Sequence, residues 1–175
     1  MSSQQKVIAL HVLTSLSSPH MRQLPPNVFE GHAMPLDLFA RKLVLLVEDE
    51  PLIALDIEHH LRRAGARVIT VGYLDAALYM TEHPDLSGAV VDLRLGAESA
   101  IPIFRRLAHR NLPFVVHTGY ATDALQREWP AVPIIEKPAS PAQITDALAQ
   151  SLLTAYLLDS CSAHNLPPPA ATGSS

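Results

Sequence analysis

The chain has 175 residues, 48% of them hydrophobic and only 5% aromatic, with a formal net charge of −4. That leaves room for one domain with an aliphatic core plus appendages, and makes two full domains a poor fit. The acidic balance argues against a nucleic-acid surface, and the single cysteine, Cys161, cannot form an internal disulfide or a zinc cluster. No apolar run approaches the roughly 20 residues of a membrane span, so a cytoplasmic protein with neither nucleic acid nor membrane as partner is expected.

Residues 1–40 are rich in Ser, Gln and Pro, with Pro19, Pro25, Pro26 and Pro35 interrupting any sustained pattern, and read as a disordered extension. The near-terminal VIALHVLTSL is too short, and too interrupted by His11, to serve as an export signal. From there the texture changes. Short apolar runs at 43–47, 67–71, 88–91, 114–117 and 132–135 alternate with helix-periodic segments at 52–64, 75–82, 99–110, 121–128 and 141–157. Continuous, β-branched runs of this length suit strands buried on both faces of a parallel sheet. The last helix opens on Ser140-Pro141-Ala142-Gln143, a capping-box signature. Beyond Asp159 the chain turns into a Pro-rich, small-residue stretch that reads as a tail over 159–175.

Five strand–helix alternations over residues 41–158 predict a doubly wound α/β sandwich, with five parallel strands in the flavodoxin-like order 2-1-3-4-5 and five helices. In such a sheet, ligands bind beyond the carboxyl ends of the strands. The residues just past each run are therefore informative. Glu48, Asp49 and Glu50 come after the first, Asp92 after the third, Thr118 after the fourth and Lys137-Pro138 after the fifth, while the second ends blandly in Gly72 and Tyr73, as an edge strand can. Acids converging from two adjacent strands repel one another unless a cation stands among them, and a hard, oxygen-liganded ion such as Mg²⁺ suits the donor set. Asp92, alone at the end of the central strand, is the acid to expect as a nucleophile toward a phosphoryl group. Lys137 and Thr118 would offset and hydrogen-bond the transferring oxygens.

The ordered motifs VLLVEDEP (44–51), VVDLRL (90–95), HTGY (117–120) and IEKP (135–138) resemble the receiver domain of bacterial two-component response regulators, which has the CheY-like version of this fold. The resemblance implies that Asp92 accepts a phosphoryl group from a sensor histidine kinase or phosphotransfer protein. It implies a Mg²⁺ site made by Asp49, Asp92 and the Arg94 backbone carbonyl, with Glu48 holding a metal-bound water, and a cis Lys137–Pro138 bond. PFVVHTGY (113–120) is similar to the signature of the FATGUY regulators, with Val116 and His117 in place of Phe and Ala. Ile134 stands where many receivers carry an aromatic switch residue, and Tyr120 is the nearest substitute in sequence. His117 reads as a packed strand residue.

A single-domain regulator is expected, without a catalytic output domain, acting through phosphorylation-dependent binding of a downstream protein and open to dimerisation. A phosphate sink or relay is the alternative. A Mg²⁺-dependent phosphohydrolase is disfavoured, because phosphatases with a similar nucleophile need an acid two residues later, where this chain has Arg94.

Overall fold

The computed structural model of the protein describes residues 38–120 and 123–163. The expected extension over 1–40 and tail over 159–175 lie largely outside the described residues. The parts of them that are described belong to the domain: Leu38 and Phe39 pack into its core, and the last helix continues past Asp159 to Ala163. A buried aromatic at 39 is the physical reason the domain begins earlier than the proline-rich texture suggests.

The elements run β1 (Leu43–Val47), α1 (Pro51–Arg63), β2 (Arg67–Val71), α2 (Leu74–Met80), β3 (Leu86–Val91), β4 (Arg94–Leu95), β5 (Glu98–Ser99), α3 (Ile101–His109), β6 (Phe114–Thr118), α4 (Asp123–Glu128), β7 (Ile134–Glu136) and α5 (Pro141–Ala163). The main sheet has the order β2-β1-β3-β6-β7, with every neighbouring pair parallel. Counted along this sheet alone, that is the 2-1-3-4-5 order expected from the sequence.

Alternation within each strand sorts the core into two layers. Leu43, Leu45 and Val47 of β1 face Ala77 of α2 and Ile103, Phe104 and Leu107 of α3. Val44 and Leu46 face Ala54, Ile57 and Leu61 of α1 and Ile144, Leu148 and Leu152 of α5. A strand with a helix on each side has no solvent face, which is why β1 is apolar at all five positions and buried at all five. Gly88 is favoured by the neighbouring strand: a Cβ there would stand 3.0 Å from the Pro113 carbonyl oxygen, backbone that must give way, while the nearest atom of α5, a Leu148 methyl carbon at 3.4 Å, would be in ordinary contact. The Ser140 capping box forms, with the Ser140 amide donating to Gln143 Oε1 (2.9 Å) and the Gln143 amide donating to Ser140 Oγ (3.3 Å).

Two differences from the sequence reading bear on function. The last sheet strand is Ile134–Glu136 rather than 132–135. Pro133 has no amide to give the ladder, so it contributes only its carbonyl, to Val116 N–H. Ser99, expected to open the third helix, instead ends the second arm of a small antiparallel ribbon, in which Arg94 pairs with Ser99 and Leu95 with Glu98. The ribbon is pinned at its base by the Ala100 amide on the Leu93 carbonyl (2.8 Å) and by Leu95, which is buried in the core. Among the described residues no helix is long and apolar enough to cross a membrane.

Candidate functional site

Parallel register carries the ends of β1 and β3 to the same level, Val47 opposite Val91, so the residues just past the two strands meet. The Asp92 amide closes the ladder on the Val47 carbonyl (2.9 Å). Glu48, Asp49 and Asp92 each present a carboxylate oxygen within 4.8 Å of the others. Glu48 and Asp92 are buried, and Asp49 faces solvent.

Lys137 enters this cluster from the other side. Its amide donates to the Thr118 carbonyl (2.9 Å), which extends the β6–β7 pairing and fixes where the side chain starts, and the Lys137–Pro138 bond just after it is cis. Its ammonium donates to Asp92 Oδ2 at 2.7 Å and to Glu48 Oε1 at 2.9 Å, with Glu50 Oε1 farther off at 3.6 Å. Burial pushes the Glu48 carboxyl up, but the polar His117 ring, the Lys137 ammonium and the Glu50 amide together outweigh it, and its pKa is held below the usual carboxylate range. Burial likewise works against the Lys137 charge, and bonds to Asp92 and Glu48 overcome it and raise its pKa. The lysine is therefore a fixed cation at neutral pH, holding together two buried acids that would otherwise repel.

The backbone supplies the remaining contacts to the acids. Asp92 Oδ1 accepts the Arg94 amide (3.1 Å), and Asp49 Oδ2 accepts the Gly96 amide (2.8 Å). Thr118 is fully buried at the end of β6; its hydroxyl oxygen accepts the Tyr120 amide (3.1 Å), which leaves the hydroxyl proton free to be donated elsewhere. Side-chain bonds thus join Lys137, Asp92 and Glu48, while Thr118 joins them through its own carbonyl, which accepts the Lys137 amide.

Two residues gain a place that the sequence did not signal. Gly96 contributes through its amide, and amides have no residue-type signature. His117 is buried, as a packed strand residue should be, yet its Nδ1 stands 3.8 Å from Glu48 Oε2, too long for a hydrogen bond but close enough to polarise the carboxylate. Ile134 is half-buried at the start of β7. Tyr120 is 66% exposed, with the Arg94 guanidinium carbon 5.9 Å from its ring centre. A cleft of about 520 Å³ lies beside Lys137, lined by Leu52, Ile53, Asp56, His117 and Pro141 among others.

Oxygen donors of this kind, two of them sharing a single ammonium and one open to solvent, keep a net negative charge and fit a hard divalent cation better than a soft one. They equally provide a carboxylate nucleophile with an adjacent cation, the chemistry needed to accept a phosphoryl group.

No family model matches the chain. Its sequence is 30% identical over 127 residues to the phyllosphere-induced regulator PhyR of Methylorubrum extorquens, a match that covers 70% of this chain and 48% of that protein. The chain thus spans about half the length of the curated relative it matches. Among solved structures it is similar to a response regulator receiver protein from Sinorhizobium medicae, with a TM-score of 0.60 and 28% identity over 65% of this chain and 96% of that one. It is also similar to SdrG from Sphingomonas melonis, with a TM-score of 0.53 and 32% identity over 66% of this chain and 96% of that one.

Proposed function

Because the chain belongs to the receiver-domain family of two-component response regulators, we propose that Asp92 takes a phosphoryl group from the phosphohistidine of a sensor kinase or phosphotransfer protein, and that the modified domain, residues 41–158, signals through a change in what it binds. The observation that carries this reading is the Lys137 ammonium held between Asp92 Oδ2 and Glu48 Oε1. A lysine in that position serves a phosphoryl group arriving at Asp92, because it can track the negative charge from the carboxylate to the new phosphoryl oxygens.

In the transfer, an Asp92 carboxylate oxygen attacks phosphorus. The bond from phosphorus to the donor imidazole breaks, the leaving nitrogen keeps the electron pair and takes up a proton, and an acyl phosphate forms on Asp92. The Arg94 amide, bonded to Oδ1, keeps the carboxylate oriented for the attack, and the Thr118 hydroxyl donates to a phosphoryl oxygen. Glu48, Asp49, Asp92 and the Arg94 backbone carbonyl are the groups that would hold Mg²⁺, which when bound supplies positive charge for the carboxylates and the transferring oxygens.

Phosphorylation adds up to about two negative charges at the end of β3. Tyr120, on the loop after Thr118, is the nearest aromatic in sequence to the one that many receivers carry at the position of Ile134. With Arg94 two residues after Asp92, where phosphatases with a similar nucleophile carry an acid to protonate the leaving group, the reading is of signalling rather than hydrolysis.

Incubation with Mg²⁺ and acetyl phosphate, with intact-mass measurement afterwards, tests it. Wild-type protein gains the mass of one phosphoryl group and Asp92→Asn gains none. An unmodified wild-type mass, or an equal gain in the variant, overturns it. If the labelled protein drains phosphate from a kinase yet binds no new partner, the domain is a sink or relay instead.

A further inference from the structure

We propose that the β4–β5 ribbon positions Asp49 for the cation, with the Gly96 amide as the positioning group. The inference rests on the reading of the acid cluster as a cation site. Its starting point is an asymmetry among the three acids. Glu48 and Asp92 share the Lys137 ammonium, whereas the bond to the Asp49 side chain comes from a neutral donor 47 positions away in sequence.

A neutral donor is the better choice at this oxygen. An ammonium on Asp49 would match its charge and compete with an incoming cation, while an amide fixes one carboxylate oxygen, Oδ2, and leaves both the charge and Oδ1 available. Fixing matters because Asp49 is on the solvent side of the cluster, where an untethered side chain would sample several rotamers and lose that freedom on binding.

The ribbon is built to present this one amide. Leu95, buried in the core, anchors one arm; Ala100 N–H on the Leu93 carbonyl closes the base; and the Arg94–Ser99 and Leu95–Glu98 pairs set the register. At the tip, Gly96 turns with φ +60°, and a Cβ added there would meet nothing within 4 Å. The position therefore makes no demand on side-chain volume. It demands a conformation, the left-handed one, which carries the amide toward Asp49. The same stretch also donates the Arg94 amide to Asp92, so alternate amides of a single arm hold two acids that come from different strands.

The lack of steric constraint gives a clean test. Asn enters the left-handed region more readily than other residues with a Cβ, and Val resists it strongly. Calorimetric titration of the full chain with Mg²⁺ is expected to give Gly96→Asn an affinity within about twofold of wild type. Gly96→Val is expected to bind roughly tenfold more weakly, the size of one lost hydrogen bond to a charged group. Equal affinity in the Val variant and wild type overturns the proposal, and so does an equal loss in both variants.

If wild-type protein binds no Mg²⁺ while still labelling on Asp92, the cation reading fails and this inference fails with it. If it binds normally and only the Gly96 result is flat, this inference alone fails. Hydrogen exchange of the Gly96 amide gives a second readout that does not depend on the Val variant folding. Asp49→Ala should accelerate exchange at Gly96 while leaving the Ala89 amide, which lies in the sheet, unchanged. No change at Gly96 rules the tether out.

Discussion

The middle of the sheet and its β7 edge contribute to the same site but are held very differently. All five residues of β1 and all five of β6 are buried, with Val90 and Val91 of β3 between them equally enclosed. At the edge, β7 is three residues long, half-buried at two and exposed at the third, and the helix before it, α4, has six residues of which Leu125 is the buried one. On the other face, α5 runs for 23 residues and buries Ile144, Leu148 and Leu152. The acids thus stand on the firm part and Lys137 on the looser part. Local rearrangement costs least where few apolar contacts are lost, so a change of charge at Asp92 is most readily converted into movement on the α4–β7 side.

Removing the tie between the two parts gives the largest effect. Lys137→Met leaves Glu48 and Asp92 buried and facing each other without a cation, and breaking a buried pair in this way costs about 3–5 kcal/mol. Chemical denaturation in metal-free buffer measures it, and added Mg²⁺ should raise the midpoint of the variant more than that of wild type. The pH dependence has a definite sign. Glu48, whose folded pKa is lowered, contributes stability above about pH 4.5 that is lost as pH falls through its folded value. Lys137, whose folded pKa is raised, contributes stability below about pH 10.5 that is lost as pH rises through its folded value. The gap between wild type and Lys137→Met should therefore be widest between those limits and narrow on either side. A gap that ignores pH would mean the ammonium acts through packing alone.

The contrast between the two parts can be measured by equal truncations. Leu148→Ala in α5 opens a cavity at a fully buried position, in a layer shared with Ile144, Leu152 and the α1 side chains, and should cost about 2–5 kcal/mol. Leu125→Ala in α4 should sit at or below the lower end of that range, about 2 kcal/mol, because a six-residue helix with exposed neighbours can shift to fill the space. Equal losses by denaturant titration would show that the edge is as firmly packed as the centre and would remove the argument for where movement is easiest.

How much of this was legible in the sequence depends on the make-up of each feature. The strands at 43–47 and 67–71 agree residue for residue with the structure, because a short β-branched or aliphatic run bounded by helix-periodic segments announces itself, most plainly where both faces are covered and every position is apolar. The meeting of Glu48, Asp49, Asp92 and Lys137 was legible because topology brings strand ends together and charged residues there are conspicuous. The ribbon was not. Two paired residues on each arm carry too little pattern to rise above their surroundings, and the Gly96 contact is made by a backbone amide, which every residue but proline owns. The extension of the domain back to Phe39 was hidden for a related reason: one buried aromatic amid prolines has no period. His117 was visible as a strand residue, but its approach to Glu48 depends on β1 and β6 flanking the same central strand.

The smallest expected effect concerns the contact that spans from the ribbon to the β6 loop. The Arg94 guanidinium carbon lies 5.9 Å from the centre of the Tyr120 ring, and both side chains are exposed. A cation–π contact at such a site is worth about 0.5–1 kcal/mol. A double-mutant cycle with Arg94→Ala and Tyr120→Ala isolates it, since each single change also removes ordinary surface contacts that cancel in the cycle. Coupling of that size in the unlabelled protein is the expected result. Arg94 extends from the firm part of the site, next to Asp92, and Tyr120 begins the loop that leads to α4, so this pair joins the acid cluster to the looser side through side chains. Coupling indistinguishable from zero would leave the Lys137 ammonium, with its bonds to Asp92 and Glu48, as the side-chain route between the two parts.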